Sequence, residues 1–257
     1  MSKSDLLLSV RNVSNFYKER SKSIFSKGGK TRVLDDVSFE VSKGEVFGIV
    51  GESGCGKSTL SKAILNLINF TGEITIDGIS VRDKKKDIRK DIQIIFQDPK
   101  SALNPMKRIG WIMEEPLRVH KIGNDNSRKK EVIDMLNLVG LDESFYNRYP
   151  HELSGGQQQR ICIGAALMLK PKLLIADEAI SALDVSIAAQ IINLLNDLNK
   201  KKGISILFIS HDLNVVTYFC DKIAVMNNGR IVEINDAENI YKNPSQPYTK
   251  ELFSLMI

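Results

Sequence analysis

Short apolar runs alternate along the chain with stretches of helical periodicity. The apolar runs that would suit buried strands are residues 45–50 (EVFGIV), 92–96 (IQIIF), 173–177 (LLIAD) and 204–210 (ISILFIS). Between the last two runs, one face of a helix is marked by Ile187, Ile191, Leu194, Leu195 and Leu198. This strand–helix–strand order predicts an α/β fold with a mainly parallel sheet.

A second kind of β pattern lies at residues 73–81 (EITIDGISV). Apolar and polar residues alternate there and the pattern breaks at Asp77-Gly78, which is a hairpin signal. An antiparallel β region is therefore expected beside the parallel sheet. Residues 18–30 (KERSKSIFSKGGK) are rich in Lys, Ser and Gly and predict a surface loop.

Residues 101–170 have little β character and predict a helical subdomain inserted between two strands of the sheet. The chain is then a single domain, 1–257, in three parts. The expected parts are a core of residues 1–100 and 171–229, the helical subdomain, and a C-terminal appendage of residues 230–257.

Composition and charge limit the classes of protein that need to be considered. Of 257 residues, 42% are hydrophobic and 26% charged, which is ordinary for a soluble domain. No apolar run approaches the roughly 20 residues of a membrane-spanning helix, and the first residues do not read as a secretory signal. We therefore expect a cytosolic chain whose membrane role, if any, comes through partners.

The net charge is +5, which by itself allows nucleic acid or an anionic surface as a partner. The densest charge run, residues 82–90 (RDKKKDIRK), alternates in sign. It is more typical of a solvated face than of a nucleic-acid patch.

The three cysteines, Cys55, Cys162 and Cys220, are far apart and form no C-x-x-C pair. This spacing argues against a zinc site or a disulfide framework and fits a reducing compartment. All three are expected to be structural.

Residues 51–60 (GESGCGKSTL) are a candidate phosphate-binding loop. The phosphate-loop pattern G-x-x-x-x-G-K-[ST] is met by Gly51, Gly56, Lys57 and Ser58. Glycines let backbone N–H groups turn inward onto phosphate oxygens, and Lys57 supplies a full charge. Ser58 offers a hydroxyl to Mg²⁺ and Thr59 can donate to a further phosphate. The alternative is a glycine-rich strand–helix turn that holds no phosphate, and the complete motif together with its strand-to-helix context argues against it.

Two carboxylates follow the four apolar residues 173–176 (LLIA). Asp177 would hold Mg²⁺, directly or through water, and Glu178 would polarise an attacking water as general base. Between the phosphate loop and these carboxylates, residues 153–157 (LSGGQ) precede an apolar helix and form a second anion-binding device. Two such devices are explained economically if two chains meet head to tail, each offering Ser154, Gly155 and Gly156 to the γ-phosphate held by the other.

With these residues in view, the sequence resembles the ATP-binding subunits of ABC transporters over almost its whole length. GESGCGKST resembles Walker A, LLIADE Walker B and LSGGQQQR the ABC signature. SALD (181–184) resembles the D-loop, Gln97 the Q-loop glutamine and His211 the switch histidine. The resemblance implies a P-loop NTPase fold with ATP and Mg²⁺ as cofactors.

The resemblance assigns roles residue by residue. Catalysis falls to Glu178, His211 and Gln97, and Mg²⁺ to Ser58, Gln97 and Asp177. The chain's own ATP is bound by Tyr17, Gly51, Ser53, Gly54, Cys55, Gly56, Lys57, Ser58 and Thr59. The partner's ATP is bound by Ser154, Gly155, Gly156, Gln157 and Asp184.

Two of these assignments have alternatives in the sequence itself. Tyr17 would stack on adenine, but it could be an ordinary strand or core aromatic, and Phe16 is a rival. The tripeptide 210–212 (SHD) invites a hydrolase triad. We reject that reading, since a triad is a spatial constellation and sequence neighbours rarely face one another.

Finer resemblances point to the oligopeptide, dipeptide and nickel importers. They lie in residues 94–105, 147–157, 181–195 and 243–252. Within that family the chain resembles the second of two ATPase subunits. The implied partners are a second, non-identical ATPase, two transmembrane permeases and an extracellular binding protein, with no nucleic acid. The implied location is the cytoplasmic face of the cell membrane.

The expected function is therefore ATP hydrolysis that energises peptide import, with nickel or a metal chelate as the alternative cargo. Two departures from the family stand out: Ala179 follows Glu178 where proline is usual, and Ala165 replaces a common arginine. A soluble ABC protein acting on DNA or ribosomes is a rival. It would need a long coiled coil or a second cassette, and the sequence has neither. A nucleotide sensor without catalysis is another rival, and Glu178 and His211 argue against it.

Overall fold

The computed structural model describes residues 5–18, 30–83, 87–181 and 183–254. Most of the loop predicted at residues 18–30 and the middle of the charge run at 82–90 lie outside these ranges. The strands are β1 Leu6–Lys18, β2 Lys30–Ser42, β3 Val46–Val50, β4 Thr71–Ile76, β5 Ile79–Ser80, β6 Ile92–Ile95, β7 Leu173–Asp177, β8 Ser205–Ile209, β9 Lys222–Asn227 and β10 Arg230–Asp236. The helices are α1 Lys57–Ile64, α2 Pro99–Ala102, α3 Ile109–Val119, α4 Asp125–Leu138, α5 Gly155–Leu167, α6 Val185–Lys202, α7 Leu213–Phe219, α8 Ala237–Lys242 and α9 Pro247–Ser254.

The chain forms two compact units, one of residues 1–89 with 205–257 and the other of residues 90–204. In the first unit, β2, β1, β4 and β5 form an antiparallel sheet in that order. Between β4 and β5, Asp77 and Gly78 have φ of 50° and 74°, the left-handed pair that a type I′ turn requires. The predicted antiparallel region and its hairpin are therefore confirmed.

The first unit also contains a parallel group of strands. β3 pairs in parallel with both β8 and β9, and β10 continues the sheet antiparallel to β9. Every residue of β3 and β8 is buried. Strands covered on both faces read as continuous apolar runs, which is why these two were visible in the sequence. The rings of Phe39 and Phe47 stack at 5.2 Å inside this unit.

The second unit pairs β6 in parallel with β7 and carries α2 to α6. Residues 101–170 hold α3, α4, α5 and short 3₁₀ turns, and no strand has been assigned within that stretch. In α6, the predicted apolar face is buried at Ile191, Leu195 and Leu198. An α/β fold with helical segments is thus confirmed, while the boundaries of the three parts stay a prediction.

Candidate active site

The phosphate loop joins β3 to α1 and is shaped by glycines that no other residue could replace. Gly51 has φ of 152° and Gly56 has φ of 113°. A Cβ at Gly51 would lie 2.1 Å from the carbonyl oxygen of Met226, and one at Gly56 would lie 2.9 Å from that of Val33. Both positions therefore need glycine for conformation and for space.

Lys57 is folded into this loop. Only 5% of the residue is exposed, and its Nζ donates to the carbonyl oxygens of Gly51 at 2.7 Å and Glu52 at 2.9 Å. Two backbone dipoles thus hold a full positive charge at the start of α1.

The start of α1 suits an anion. Gly56 is its N-cap and has no side chain with which to satisfy the first N–H groups of the helix. Those groups and the Lys57 ammonium together form the donor set that phosphate oxygens require. The residues present therefore fit a nucleoside triphosphate.

The remaining loop residues differ in exposure. Ser53, Gly54 and Ser58 are exposed and Thr59 is half-buried, so these four positions are open to a ligand. Cys55 is buried, with its Sγ 3.9 Å from the Nζ of Lys57. Burial raises the pKa of the Cys55 thiol although the Lys57 charge opposes the shift, so Cys55 packs as a neutral thiol.

Tyr17 lies near the end of β1, opposite Thr31 of β2, and is 48% exposed. It is a strand residue, but it is not part of the core. The rival, Phe16, is equally exposed, but the guanidinium of Arg32 lies 5.4 Å from its ring centroid. Neighbouring strand residues point to opposite faces, so the ring of Tyr17 lies on the face of the strand opposite to that of Phe16.

His211 is exposed in the turn between β8 and α7. Its neighbours are engaged elsewhere. The Ser210 hydroxyl is buried and accepts from the Asp212 backbone N–H at 3.0 Å. The Asp212 carboxylate caps α7 by accepting from the Val215 N–H at 3.2 Å. These contacts agree with the rejection of a hydrolase triad.

In the second unit, Asp177 and Glu178 end β7 as predicted. Asp177 is 8% exposed and Glu178 is half-buried. Glu178 has φ of 50°, a left-handed conformation that is uncommon outside glycine. Its carbonyl oxygen accepts from the backbone N–H and the hydroxyl of Ser181 at 3.1 and 2.9 Å. Nothing in the sequence indicated this backbone turn.

The signature residues open α5. Ser154 and Gln157 form a reciprocal capping box, in which each side chain accepts from the other residue's backbone N–H. A Cβ at Gly156 would lie 2.6 Å from Cγ2 of Ile187 in the first turn of α6. The glycine therefore brings the starts of α5 and α6 together.

Asp184 caps α6 by accepting from the Ile187 N–H at 2.9 Å. The signature and the D-loop residue are thus neighbours within this unit, while Ala182 lies outside the described residues. Gln97 is exposed two residues after the end of β6, and Asp98 caps α2.

Two residues that contact the phosphate loop, Gly229 and Tyr248, were not predicted from the sequence. The N–H of Gly229 donates to the carbonyl oxygen of Cys55 at 2.9 Å. The N–H of Glu52 donates to the hydroxyl of Tyr248 at 3.4 Å. Both partners lie far along the chain, so only the folded first unit reveals them.

No group of three or more His, Cys, Asp or Glu side chains that could hold a metal occurs in the part of the chain that is described. Within the same residues, none of the helices has the length and apolar character needed to cross a bilayer.

The family model described as "ABC transporter" matches residues 34–181, which include the phosphate loop, the signature and both carboxylates. The chain belongs to this family. The members it resembles include the oligopeptide transport ATP-binding protein AppF of Bacillus subtilis (strain 168), at 44% identity over 97% of this chain and 78% of AppF. The oligopeptide transport ATP-binding protein OppF of Streptococcus mutans is 46% identical over 96% of this chain and 80% of OppF.

Solved structures of ABC ATPases share the fold. The dimeric ATP-binding cassette MJ0796, bound to ADP and Pi, superposes with a TM-score of 0.78 at 32% identity, over 90% of this chain and 99% of that one. CbiO1 of Clostridium perfringens, described as part of the ABC transporter complex cbiONQ, superposes with a TM-score of 0.79 at 28% identity, over 93% and 92%.

Proposed function

We propose that this chain is the ATP-hydrolysing subunit of an ABC importer and that its hydrolysis energises the uptake of oligopeptides. The phosphate loop carries the ATP assignment: a buried lysine held by two carbonyls, beside a helix start that has no side-chain cap. The two relatives named above, at 44% and 46% identity over most of this chain, support the peptide assignment.

The proposed binding of ATP uses residues of the first unit. Lys57 and the N–H groups at the start of α1 would neutralise the phosphates, with Gly51, Ser53, Gly54, Cys55, Gly56 and Thr59 shaping the loop. Tyr17 would stack on the adenine with its exposed ring. His211 would contact the γ-phosphate as a hydrogen-bond partner.

Magnesium is proposed to be held by Ser58, Gln97 and Asp177. A hydroxyl, an amide oxygen and a carboxylate are the hard oxygen donors that Mg²⁺ prefers, so the donor set fits the ion. When bound, Mg²⁺ neutralises charge on the phosphate oxygens.

The proposed chemistry depends on one base. Glu178 would take the proton of the attacking water, and Gln97 would orient that water. The left-handed backbone at Glu178 supports this role, because such conformations concentrate at functional sites. The proton passes to the carboxylate as the water oxygen bonds to the γ-phosphorus, while the bond from that phosphorus to the bridging oxygen breaks and ADP leaves.

The partner's nucleotide is proposed to meet Ser154, Gly155, Gly156, Gln157 and Asp184. Their placement at the adjoining starts of α5 and α6 supports one common surface. The chain that supplies that nucleotide is proposed to be a second, non-identical ATPase. Two transmembrane permeases and an extracellular binding protein complete the assembly, which places this chain at the cytoplasmic face of the membrane.

The test is transport by the assembled complex, purified with its permeases from detergent-solubilised native membranes and reconstituted in vesicles. We expect ATP hydrolysis to rise when the binding protein is loaded with oligopeptides. Glu178→Gln should lower turnover by roughly 10² to 10⁴-fold, the usual contribution of a general base.

Each result has a clear meaning. Stimulation by nickel chelates but not by peptides would overturn the cargo assignment and leave the ATPase. Recovery of the chain with nucleic acid or ribosomes, without permeases, would overturn the transport assignment. Equal turnover in Glu178→Gln and wild type would remove Glu178 from the chemistry.

A further inference from the structure

In the C-terminal part of the first unit, residues 230–254, the carboxylate of Glu233 accepts hydrogen bonds from the turn before α9. We call these residues the latch. Glu233 of β10 accepts from the Ser245 N–H and hydroxyl at 2.8 Å each, and from the Gln246 N–H at 3.0 Å. Burial works to raise the pKa of Glu233, but these hydrogen bonds outweigh it and the pKa is lowered. The ionised carboxylate therefore fixes the turn that begins α9.

α9 itself is packed onto the rest of the latch. Thr249 and Phe253 are buried, and the ring of Phe253 meets that of Tyr241 edge-on, with centroids 6.3 Å apart. Tyr248 lies in the first turn of this fixed helix. Its position is therefore set by the latch rather than by the phosphate loop that it touches.

The contact of Tyr248 is with one particular peptide group. The carbonyl oxygen of Gly51 and the N–H of Glu52 belong to the same peptide unit, and in a trans peptide they point in opposite directions. The Nζ of Lys57 donates to the carbonyl at 2.7 Å, and the N–H donates to the Tyr248 hydroxyl at 3.4 Å. Lys57 and Tyr248 thus hold this peptide from its two sides.

We propose that Tyr248 is a positioning residue of the ATP site, which orients the Gly51–Glu52 peptide and through it the ammonium of Lys57. The inference rests on the proposed function, since it concerns the same nucleotide site. The hydroxyl accepts the N–H, so the peptide cannot rotate about the chain without losing this bond. A rotation would turn the Gly51 carbonyl away from Lys57.

A second contact with the phosphate loop comes from Gly229, the residue just before the latch. Gly229, in the turn between β9 and β10, donates to the Cys55 carbonyl at 2.9 Å and accepts from the Asp35 N–H at 2.8 Å. The phosphate loop is therefore held at both Glu52 and Cys55 by residues that follow every nucleotide-contacting motif in the sequence. The role of Tyr248 is distinct because it depends on one hydroxyl and can be removed alone.

The experiment measures the equilibrium affinity of the purified full-length chain for ATP with Mg²⁺. Tyr248→Phe removes the hydroxyl and keeps the ring. We expect about 3- to 10-fold weaker ATP binding, the effect of losing one neutral hydrogen bond. The matched control is Tyr218→Phe, which removes a hydroxyl from a side chain that is 79% exposed; its affinity should stay within about 2-fold of wild type.

A second variant tests whether the latch affects ATP binding through Tyr248. Glu233→Ala releases the turn before α9 and should weaken ATP binding in the same direction. If Glu233 acts through Tyr248, the double variant loses no more affinity than the weaker-binding single variant, whereas independent effects would multiply. In the assembled transporter, Tyr248→Phe should raise the KM for ATP and leave kcat within about 2-fold.

The outcomes separate this inference from the proposed function. Wild-type affinity in Tyr248→Phe would overturn the positioning role and leave the proposed function intact. Weak binding together with a melting temperature lowered by more than about 8 °C would also overturn it, because the loss would then come from destabilisation. A wild-type chain that does not bind ATP would overturn the proposed function itself.

Discussion

Gly51 and Glu178 show that single residues of the proposed site hold uncommon backbone conformations, and only Glu178 does so with a full side chain. Gly51 has φ of 152°, a region almost confined to glycine, and Glu178 has φ of 50° with a full side chain. A non-glycine residue in the left-handed region costs about 1–3 kcal/mol, which the surrounding structure must offset. At Glu178 the two bonds from Ser181 to its carbonyl hold the turn in place.

Gly51→Ala should be far more damaging than an equivalent change at a loop glycine with open space. Gly44 also has a positive φ, 74°, but a Cβ there meets nothing within 4 Å. We expect Gly44→Ala to cost about 1 kcal/mol of unfolding free energy from conformation alone. Gly51→Ala adds a clash with the Met226 carbonyl and should cost at least about 2 kcal/mol more.

Urea unfolding of both variants measures these costs. The unfolding midpoint of Gly51→Ala should fall well below that of Gly44→Ala, and its ATP affinity should fall with it. Equal midpoints for the two variants would mean that the contact between residue 51 and Met226 is easily relieved.

The thiol of Cys162 predicts how the unfolding free energy changes at alkaline pH. Burial, with a smaller contribution from the Asp98 charge, raises the pKa of this thiol from 9.0 to about 12. The unfolded chain therefore releases the proton above about pH 9 while the folded chain retains it. The stabilising contribution is fully present below pH 9 and falls by about 1 kcal/mol per pH unit between pH 9 and about 12.

Cys162→Ala removes this titration and nothing else that ionises. Its unfolding free energy should decline less steeply than that of wild type between about pH 8 and pH 10.5. This difference in slope does not depend on how far the substitution changes stability at neutral pH. Parallel pH profiles would contradict the raised pKa.

At the level of elements, the starts of the helices differ in how they are capped. α5, α6 and α7 begin with Ser154, Asp184 and Asp212, whose side chains accept from the third N–H of the helix. α1 begins instead with Gly56, which has no side chain to do this. The start of α1, where the proposed nucleotide would bind, is therefore without a capping side chain. Ser154 and Asp184 are structural caps as well as proposed contacts for the partner's nucleotide.

Ser154 can therefore be tested for two roles at once. Ser154→Ala should cost about 1 kcal/mol of stability by removing the cap, while Ser154→Asn, which also caps well, should stay close to wild type. If the hydroxyl also serves the partner's nucleotide, both variants should lower ATP hydrolysis by the assembled transporter by about 10-fold or more.

Thermal melting and steady-state hydrolysis are the two measurements. Full activity in Ser154→Asn would limit this serine to capping α5. If Ser154→Asn keeps wild-type stability but loses activity, then capping α5 and contacting the partner's nucleotide are separate roles of this serine.

At the level of the whole molecule, the chain holds its own phosphate loop in one compact unit and its signature and carboxylates in the other. Each unit is internally well packed. The cassette MJ0796, whose fold this chain shares, is itself described as a dimer in its post-hydrolysis state. The proposed partner for this chain is a second ATPase of different sequence.

Pairing should therefore depend on that partner. Glu178→Gln, which slows hydrolysis, should remain monomeric with ATP and Mg²⁺ when alone and form a 1:1 complex when the second ATPase is added. Light scattering after size-exclusion chromatography measures this. A stable homodimer of Glu178→Gln at micromolar concentration would contradict the requirement for a non-identical partner.

The sequence by itself determined local parts of the fold and of the proposed site. The phosphate-loop pattern, the hairpin at Asp77-Gly78 and the carboxylates at the end of β7 were all predicted, because each depends on neighbouring residues and on steric or capping rules that act over a few positions. The three cysteines, expected from the sequence to be structural, are buried and free of disulfide bonds.

Only the tertiary structure decided which distant residues meet that site. Met226 and Gly229 lie behind the phosphate loop, Ile187 lies against Gly156, and Tyr248 reaches Glu52. The left-handed turn at Glu178 belongs with them, since a glutamate has no local preference for it. These features are set by packing between elements far apart in the chain, where side-chain contact depends on the register and position of whole strands and helices rather than on local pattern.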